Sequence, residues 1–496
     1  MLFNSIQFAI FLIILFVLYW FVTIKNLKAQ NILLLVASYV FYGWWDWRFL
    51  GLLALLSITN YFIGIGIEIN ETIKKRKAIF VTGLIVNIGV LGVFKYYNFF
   101  IDNFIDLVSL IGYNLPRSTT KIILPVGISF YVFLSLSYII DIYKKNLNAN
   151  RNVIEVLLAL SFFPIILAGP IQRPASLLPQ IIQRREFNYD RAIDGLRQIL
   201  WGVFAKVIIA DNFAGYVNEF FVNYSNYSGS TLLLGAVFYT FQIYADFSGY
   251  SNMAIGTAKL FGFNLMRNFA HPYFSRNITE FWKRWHISLV TWFRDYVFLP
   301  LSFSVAWKIK SDKILFIRTD LFIYIIASII VWFLTGLWHG ANYTFIIWGM
   351  IHGVLLILYK IAVKPRKRFL YKLRIKDKNN TLVFVETIIT FFIVMIAWIF
   401  FRAENIGHAI SYISEIFSPS TLTIPQFVGR RRSLPLIILL TFFVLIEWMG
   451  RERQYAIEKI SGNRYRLLRW NIYVALILCI LIWGSFEKNQ FIYFQF

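Results

Sequence analysis

The chain has 496 residues, is 58% hydrophobic and 19% aromatic, and carries a net charge of +24 with only 15% charged residues. That much apolar surface does not fit inside ordinary soluble domains, which excludes a soluble globular protein. The Lys and Arg residues lie in short clusters between apolar runs and form no basic domain of their own, so nucleic-acid binding is excluded too. A single cysteine, Cys479, lies in an apolar run, so neither an intrachain disulfide nor a Cys-based metal site is expected.

Apolar runs fall near 3–24, 30–44, 50–67, 78–94, 120–142, 152–170, 195–210, 231–247, 253–263, 321–338, 343–363, 382–401, 434–449 and 470–485. They predict an all-α, polytopic integral membrane protein of roughly 11–13 spanning or re-entrant helices, at about 20 apolar residues per span. The first run has no basic n-region and no small-residue cleavage site, and reads as a retained first span. Lys74, Lys75, Arg76 and Lys77 form the sharpest early basic cluster. Placing it in the cytoplasm puts Lys25, Lys28, Lys144 and Lys145 there as well, with the N-terminus outside. No repeat, low-complexity tract or separate soluble domain interrupts the chain, and residues 1–496 read as one domain.

Two stretches carry turn residues within apolar sequence. ILPVGISFYVFLSLSYIIDIY holds Pro125, Gly127 and Asp141, and FFPIILAGPIQRP holds Pro164, Gly169, Pro170, Arg173 and Pro174. Irregular backbone is tolerated at membrane depth only where it is buried in protein or lines a cavity, so an internal cavity or tunnel is predicted. In FYTFQIYADFSGYSNMAIGTAKLFGFNL, Asp246 sits in an apolar helical segment, either as a functional group or as a structural carboxylate paired with an arginine or a backbone donor.

The stretch EFWKRWHISLVTWFRDYVFLPL, 280–301, reads as one amphipathic helix. Trp282, Trp285, His286, Leu289, Trp292, Phe293 and Tyr296 share a face and Lys283, Arg284, Arg294 and Asp295 fall largely elsewhere. It is an interfacial anchor or a substrate-facing element, and His286 lies on its apolar face. Farther on, basic clusters at 308–313 and 364–374 flank the runs 321–338 and 343–363. Both clusters belong in the cytoplasm, so the two runs form a hairpin whose turn, WHGAN, faces outward. His339 stands at that turn. On a continuous helix His352 points roughly 220° away from it and is not expected to be its partner. Arg430, Arg431 and Arg432 fall outside if 382–401 and 434–449 each cross once; otherwise one of those runs does not cross.

ITEFWKRWHISLVTWFRDYVFLPL, FLTGLWHGANYTFIIWGMIHG and YADFSGYSNMAIGTAKLFGF resemble the membrane-bound O-acyltransferase family, and nearly the whole chain is similar to its bacterial branch, which O-acetylates alginate and peptidoglycan. The chain departs from the family pattern at Asn252 and after Pro300. The resemblance implies that His339, in the Trp-His-Gly motif, is the principal catalytic residue and His286 the second. It implies acetyl-CoA as donor substrate, with no permanently bound cofactor. An already activated thioester needs no metal, only a base for the hydroxyl proton and donors for the oxyanion. On this reading Trp338, Asn342, Asp246, Trp285, Trp292 and Asp295 contact substrate, and Lys283, Arg284 and Arg294 meet the CoA phosphates. The expected setting is the bacterial inner membrane, with membrane lipid around the spans and an extracytoplasmic polysaccharide or a secreted hydrolase-like acetyltransferase downstream. D-alanyl transfer from a carrier protein to teichoic acid, and transport without chemistry, are the alternatives.

Overall fold

The computed structural model describes residues 1–23, 26–113, 115–116, 121–314, 316–458, 460, 466–486 and 491–492. The chain is a multi-pass membrane protein built almost entirely of helices. A backbone in hydrocarbon has to satisfy its hydrogen bonds within its own segment, and a helix does so. Among the described residues, seven helical stretches are long and apolar enough to cross a membrane: Trp47–Ile69, Ile73–Leu110, Thr319–His339, Tyr343–Lys372, Asn380–Arg402, Arg430–Met449 and Arg466–Trp483. Ile6–Val22, Ile128–Tyr143 and Val153–Ile166 are shorter apolar helices.

The fold divides into two units, residues 1–199 with 250–266, and 200–249 with 267–496. The first holds α1 (Ile6–Val17), α2 (Leu27–Gly43), α3 (Leu50–Ile69), α4 (Ile73–Leu91), α5 (Tyr97–Leu110), α6 (Ile128–Tyr143), α7 (Val153–Ser161), α8 (Phe163–Ile166), α9 (Pro174–Ile182) and the start of α10 (Tyr189–Phe204). Ser5, Asn26 and Asn152 cap α1, α2 and α7 by accepting a backbone N–H within the first turn. α3 and α4 are joined by a buried amide pair: Asn87 Nδ2 donates to Asn60 Oδ1 at 2.8 Å, and Asn60 Nδ2 donates back at 3.1 Å. Such pairs hold apolar helices together where lipid competes equally for the hydrocarbon faces. The predicted breaks are present. Pro125 and Gly127 precede α6, with Gly127 in the left-handed region at φ 76°. The chain also kinks at Phe162, ahead of Pro164. The irregular backbone from Leu167 to Gln172 is buried, as membrane depth requires.

The second unit holds α11 (Asp211–Val222), most of α12 (Gly229–Leu260), α13 (Ile278–Arg284), α14 (Ile287–Phe293), α15 (Leu299–Lys308), α16 (Thr319–His339), α17 (Tyr343–Lys372), α18 (Asn380–Arg402), α19 (Ile406–Ile416), α20 (Arg430–Met449) and α21 (Arg466–Trp483). A two-stranded hairpin, Lys313–Ile314 with Ile317–Arg318, leads into α16. The runs 231–247 and 253–263 fall almost wholly in one 32-residue helix, α12, with Asp246 in it as expected. One expectation needs correction. The stretch 280–301 is not one helix. It breaks at Trp285–His286, where His286 takes φ 43°, and it widens into a π-helical turn at Arg294–Phe298 before α15. The segment 268–270 causes the break by offering other partners: Ala270 N–H donates to Arg284 O and Ile287 N–H to Asn268 O, both at 2.9 Å.

α16 and α17 form the expected hairpin, and glycine sets its closeness. A Cβ on Gly349 would lie 3.1 Å from Gly336 Cα, so only a bare backbone fits there. At the far end, Arg366 Nε donates to Glu386 at 2.9 Å and Arg276 Nε to the same carboxylate at 3.0 Å, which ties α17 to α18. The Arg366 guanidinium also holds Asp377, in the loop between them, below the usual carboxylate range. Gly349→Val should destabilise the hairpin by about 1–3 kcal/mol, the usual range for overpacking. A drop in thermal midpoint and in monodisperse yield after detergent extraction is the expected reading; an unchanged midpoint would contradict this packing.

Candidate active site

His339 ends α16 and is 3% exposed. Its ring is enclosed edge-to-face by Trp338 at 4.8 Å, Trp348 at 4.9 Å and Phe401 at 5.1 Å between centroids. The helix stops there because Gly340 is extended and Asn342 starts the next helix, its Oδ1 accepting the Thr344 N–H at 3.0 Å. A side chain at position 340 would strike the Phe345 ring, which lies against the Gly340 backbone. The imidazole is thus fixed at a hairpin tip, with aromatic groups excluding water from it.

His286 comes to the same place from the broken segment. Its ring is 6.0 Å from Trp338, so that one indole lies against both histidines. Its left-handed backbone is uncommon for a non-glycine residue, and side-chain bonds hold it. His286 Nδ1 bonds Asn268 Oδ1 at 3.0 Å, and Ser288 Oγ donates to the same oxygen at 2.9 Å. Phe247 packs edge-on at 4.6 Å. His286 lies between α13 and α14, outside the candidate spans, and burial pushes it down to about 3 from an ordinary 6.5, keeping it neutral across the physiological range.

Trp285 joins this aromatic group through Trp398, 4.8 Å away, which itself stacks on Trp348 at 5.5 Å. The other predicted residues lie in other surroundings. Asp246 belongs to a buried ion cluster: Lys206 Nζ is 2.7 Å from Asp246 Oδ1 and 2.7 Å from Asp211 Oδ1, and the Ile492 N–H donates to Asp246 Oδ2 at 2.8 Å. Its partners are thus a lysine and a backbone donor. Trp292 packs on Phe293 and Tyr296. Arg294 Nε bonds Asp295 at 2.8 Å, and Arg284 pairs with Glu280 at 2.5 Å. Lys283 and Arg294 are exposed. Asn342 Nδ2 donates to Glu404 O at 3.0 Å, anchoring the turn.

His352, not expected as a partner of His339, borders the same aromatic group. It is fully buried one turn beyond Trp348 on α17, and Trp348 touches it at 5.0 Å while touching His339 on its other contact. Trp282 Nε1–H donates to His352 Nδ1 at 3.3 Å, which leaves the proton of the neutral ring on Nε2. The i, i+4 spacing of Trp348 and His352 is the signal that would have found it.

A model of the membrane-bound O-acyltransferase family matches residues 148–402. The chain is 38% identical over 431 residues to the Probable alginate O-acetylase AlgI of Azotobacter vinelandii, covering 86% of this chain and 81% of that protein. It is 31% identical over 415 residues to the peptidoglycan O-acetyltransferase of Helicobacter pylori, covering 78% and 74%. A teichoic acid D-alanyltransferase of Bacillus subtilis is 30% identical over 290 residues, covering 57% and 70%.

The depressed His286 has a measurable consequence. The fold resists protonating it while the unfolded chain takes up a proton below its ordinary value, so stability is lost as pH falls from 6.5 toward 3. The slope for one such group is about 1.4 kcal/mol per pH unit. His286→Asn accepts the left-handed backbone and does not titrate. The thermal midpoint of the native protein should therefore fall more steeply between pH 7 and pH 5 than that of His286→Asn; parallel curves would contradict the burial.

Proposed function

This chain belongs to the membrane-bound O-acyltransferase family, and from that membership we propose that it moves an acetyl group from cytoplasmic acetyl-CoA to hydroxyls of an extracytoplasmic polysaccharide or peptidoglycan. The observation that carries the reading is the buried imidazole at the tip of the α16–α17 hairpin, with a second histidine against the same indole. The O-acetylation named for the relatives with the wider coverage supports acetyl over D-alanyl as the group moved.

His339 takes the proton of the acceptor hydroxyl as its oxygen attacks the thioester carbonyl. The C–O bond forms, the tetrahedral intermediate collapses with loss of the C–S bond, and the CoA sulfur leaves with the proton that the imidazole held. Water exclusion by Trp338, Trp348 and Phe401 protects the thioester from hydrolysis. His286 supports the donor side. The exposed Lys283 and Arg294 offer cations for the CoA phosphates; Arg284, already paired with Glu280, would exchange that partner for a phosphate. In the proposed topology the clusters at 308–313 and 364–378 are cytoplasmic, in the inner membrane, and the WHGAN turn is reached from outside. With α18 and α20 each crossing once, Arg430–Arg432 stands outside, a basic surface suited to an anionic glycan. The acetyl passes to the glycan directly or through a secreted hydrolase-like acetyltransferase.

His339→Ala should lower acetyl transfer from labelled acetyl-CoA by about 100-fold or more, the usual scale for a lost general base, while the protein still purifies monodisperse. Wild-type turnover in that variant would remove the assignment. Label transfer only from an aminoacyl carrier protein would favour the D-alanyl chemistry. For the topology, Cys479 is replaced and single cysteines are set at Ser311, Asn342 and Asp377. An impermeant thiol reagent on intact cells should leave 311 and 377 unlabelled, and labelling at 377 would invert the orientation.

A further inference from the structure

A crevice of about 790 Å³ lies along α18 and α20, floored by α12 and by the turn at His271. Its walls are apolar, with Phe241, Phe391, Phe443 and Val444 inside. Its rim residues Phe384, Ile388 and Phe392 are 64%, 42% and 46% exposed. Because α18 and α20 are both candidate spans, that rim meets the hydrocarbon of the bilayer, and the crevice opens into lipid. Asn380 lies at one end and Phe392 near the other, roughly 18 Å apart at the helical rise, about the depth of one leaflet of the core.

One polar group is built into the floor. Glu447, 4% exposed, accepts Tyr244 Oη at 2.6 Å and Trp201 Nε1 at 3.1 Å, and it pairs with His271 Nδ1. His271 is 3% exposed, lines the crevice, and has no hydrogen-bond partner for Nε2 among the described residues. Its backbone is left-handed at φ 51° directly before Pro272, a position that proline pushes toward extended geometry. A strained residue that holds an unpartnered ring nitrogen against an apolar cavity fits a ligand site better than a packing site. Glu447 occupies Nδ1, so Nε2 is the ring nitrogen left to donate into the crevice. Beside this end of the crevice, the Arg451 guanidinium lies 4.1 Å over the ring of Trp448, the aromatic and cationic pairing of a membrane interface.

We propose that this crevice is a lipid site. One acyl chain of a glycerophospholipid lies along α18 and α20, and an ester carbonyl oxygen of that lipid accepts a hydrogen bond from His271 Nε2. The site is separate from the acyl-transfer reading, and its test does not depend on turnover.

The full-length protein in detergent is photolabelled with a phosphatidylglycerol bearing a diazirine in its acyl chain, and the labelled peptides are mapped by mass spectrometry. Label should concentrate at 384–392 and 441–448 and fall at least fivefold in Thr387→Trp, which fills the crevice. Unlabelled diester lipid should compete about tenfold better than its diether analogue, which lacks the carbonyl. His271→Phe should erase that preference and His271→Gln, which keeps an N–H donor, should retain it. Even labelling of all lipid-facing helices, unaffected by Thr387→Trp, would overturn the site. Equal competition by diester and diether in the native protein would overturn the role of His271, whether or not His271→Phe folds.

Discussion

Every polar group carried to membrane depth needs a partner inside the protein, and this constraint orders the structure. Helices meet it for the backbone. Side chains meet it in pairs and clusters: Asn60 with Asn87, Lys206 between Asp211 and Asp246, and His271 with Glu447. Where the helix fails, at Trp285–His286, the Asn268 segment supplies the missing bonds. That failure is what turns His286 toward Trp338, because a continuous helix would have held it on a regular stripe with Trp282 and Leu289.

The site follows from the same rule applied to a titratable ring. An imidazole enclosed by Trp338, Trp348 and Phe401 is shielded from water and held in one orientation. Such enclosure keeps bulk water from the ring. Gly340 and Gly349 let the hairpin close tightly, with Phe345 against the Gly340 backbone and Trp348 against His339. Close approach of the two helices and the shielding of His339 from water therefore share one cause, the absence of side chains at two positions.

Much of this was legible in the sequence because membrane helices announce themselves by length. The hairpin, the breaks near Pro125 and Pro164, and the Trp-His-Gly turn all follow from apolar run lengths and punctuation. Periodicity misled at 280–301: the aromatic stripe is real, but bonds to residues 268–270 override the helix, and no local pattern reports them. The same holds for Asp246, whose partners come from positions 206 and 492, and for His271, which pairs with Glu447 on another element. Positions 339 and 352 face apart on a single continuous helix, but they stand on two. The turn at 340–342 reverses the chain, and Trp348 then lies against both histidines.

The central claim is that one enclosed histidine joins a cytoplasmic donor to an outer acceptor. Reconstitution in sealed vesicles of uniform orientation tests it most directly. Labelled acetyl-CoA is placed on the face bearing 364–378 and a glycan acceptor on the opposite face. The account predicts O-acetylated glycan across the sealed bilayer, with none when His339 is replaced by alanine. Transfer only when donor and acceptor share a compartment would contradict it.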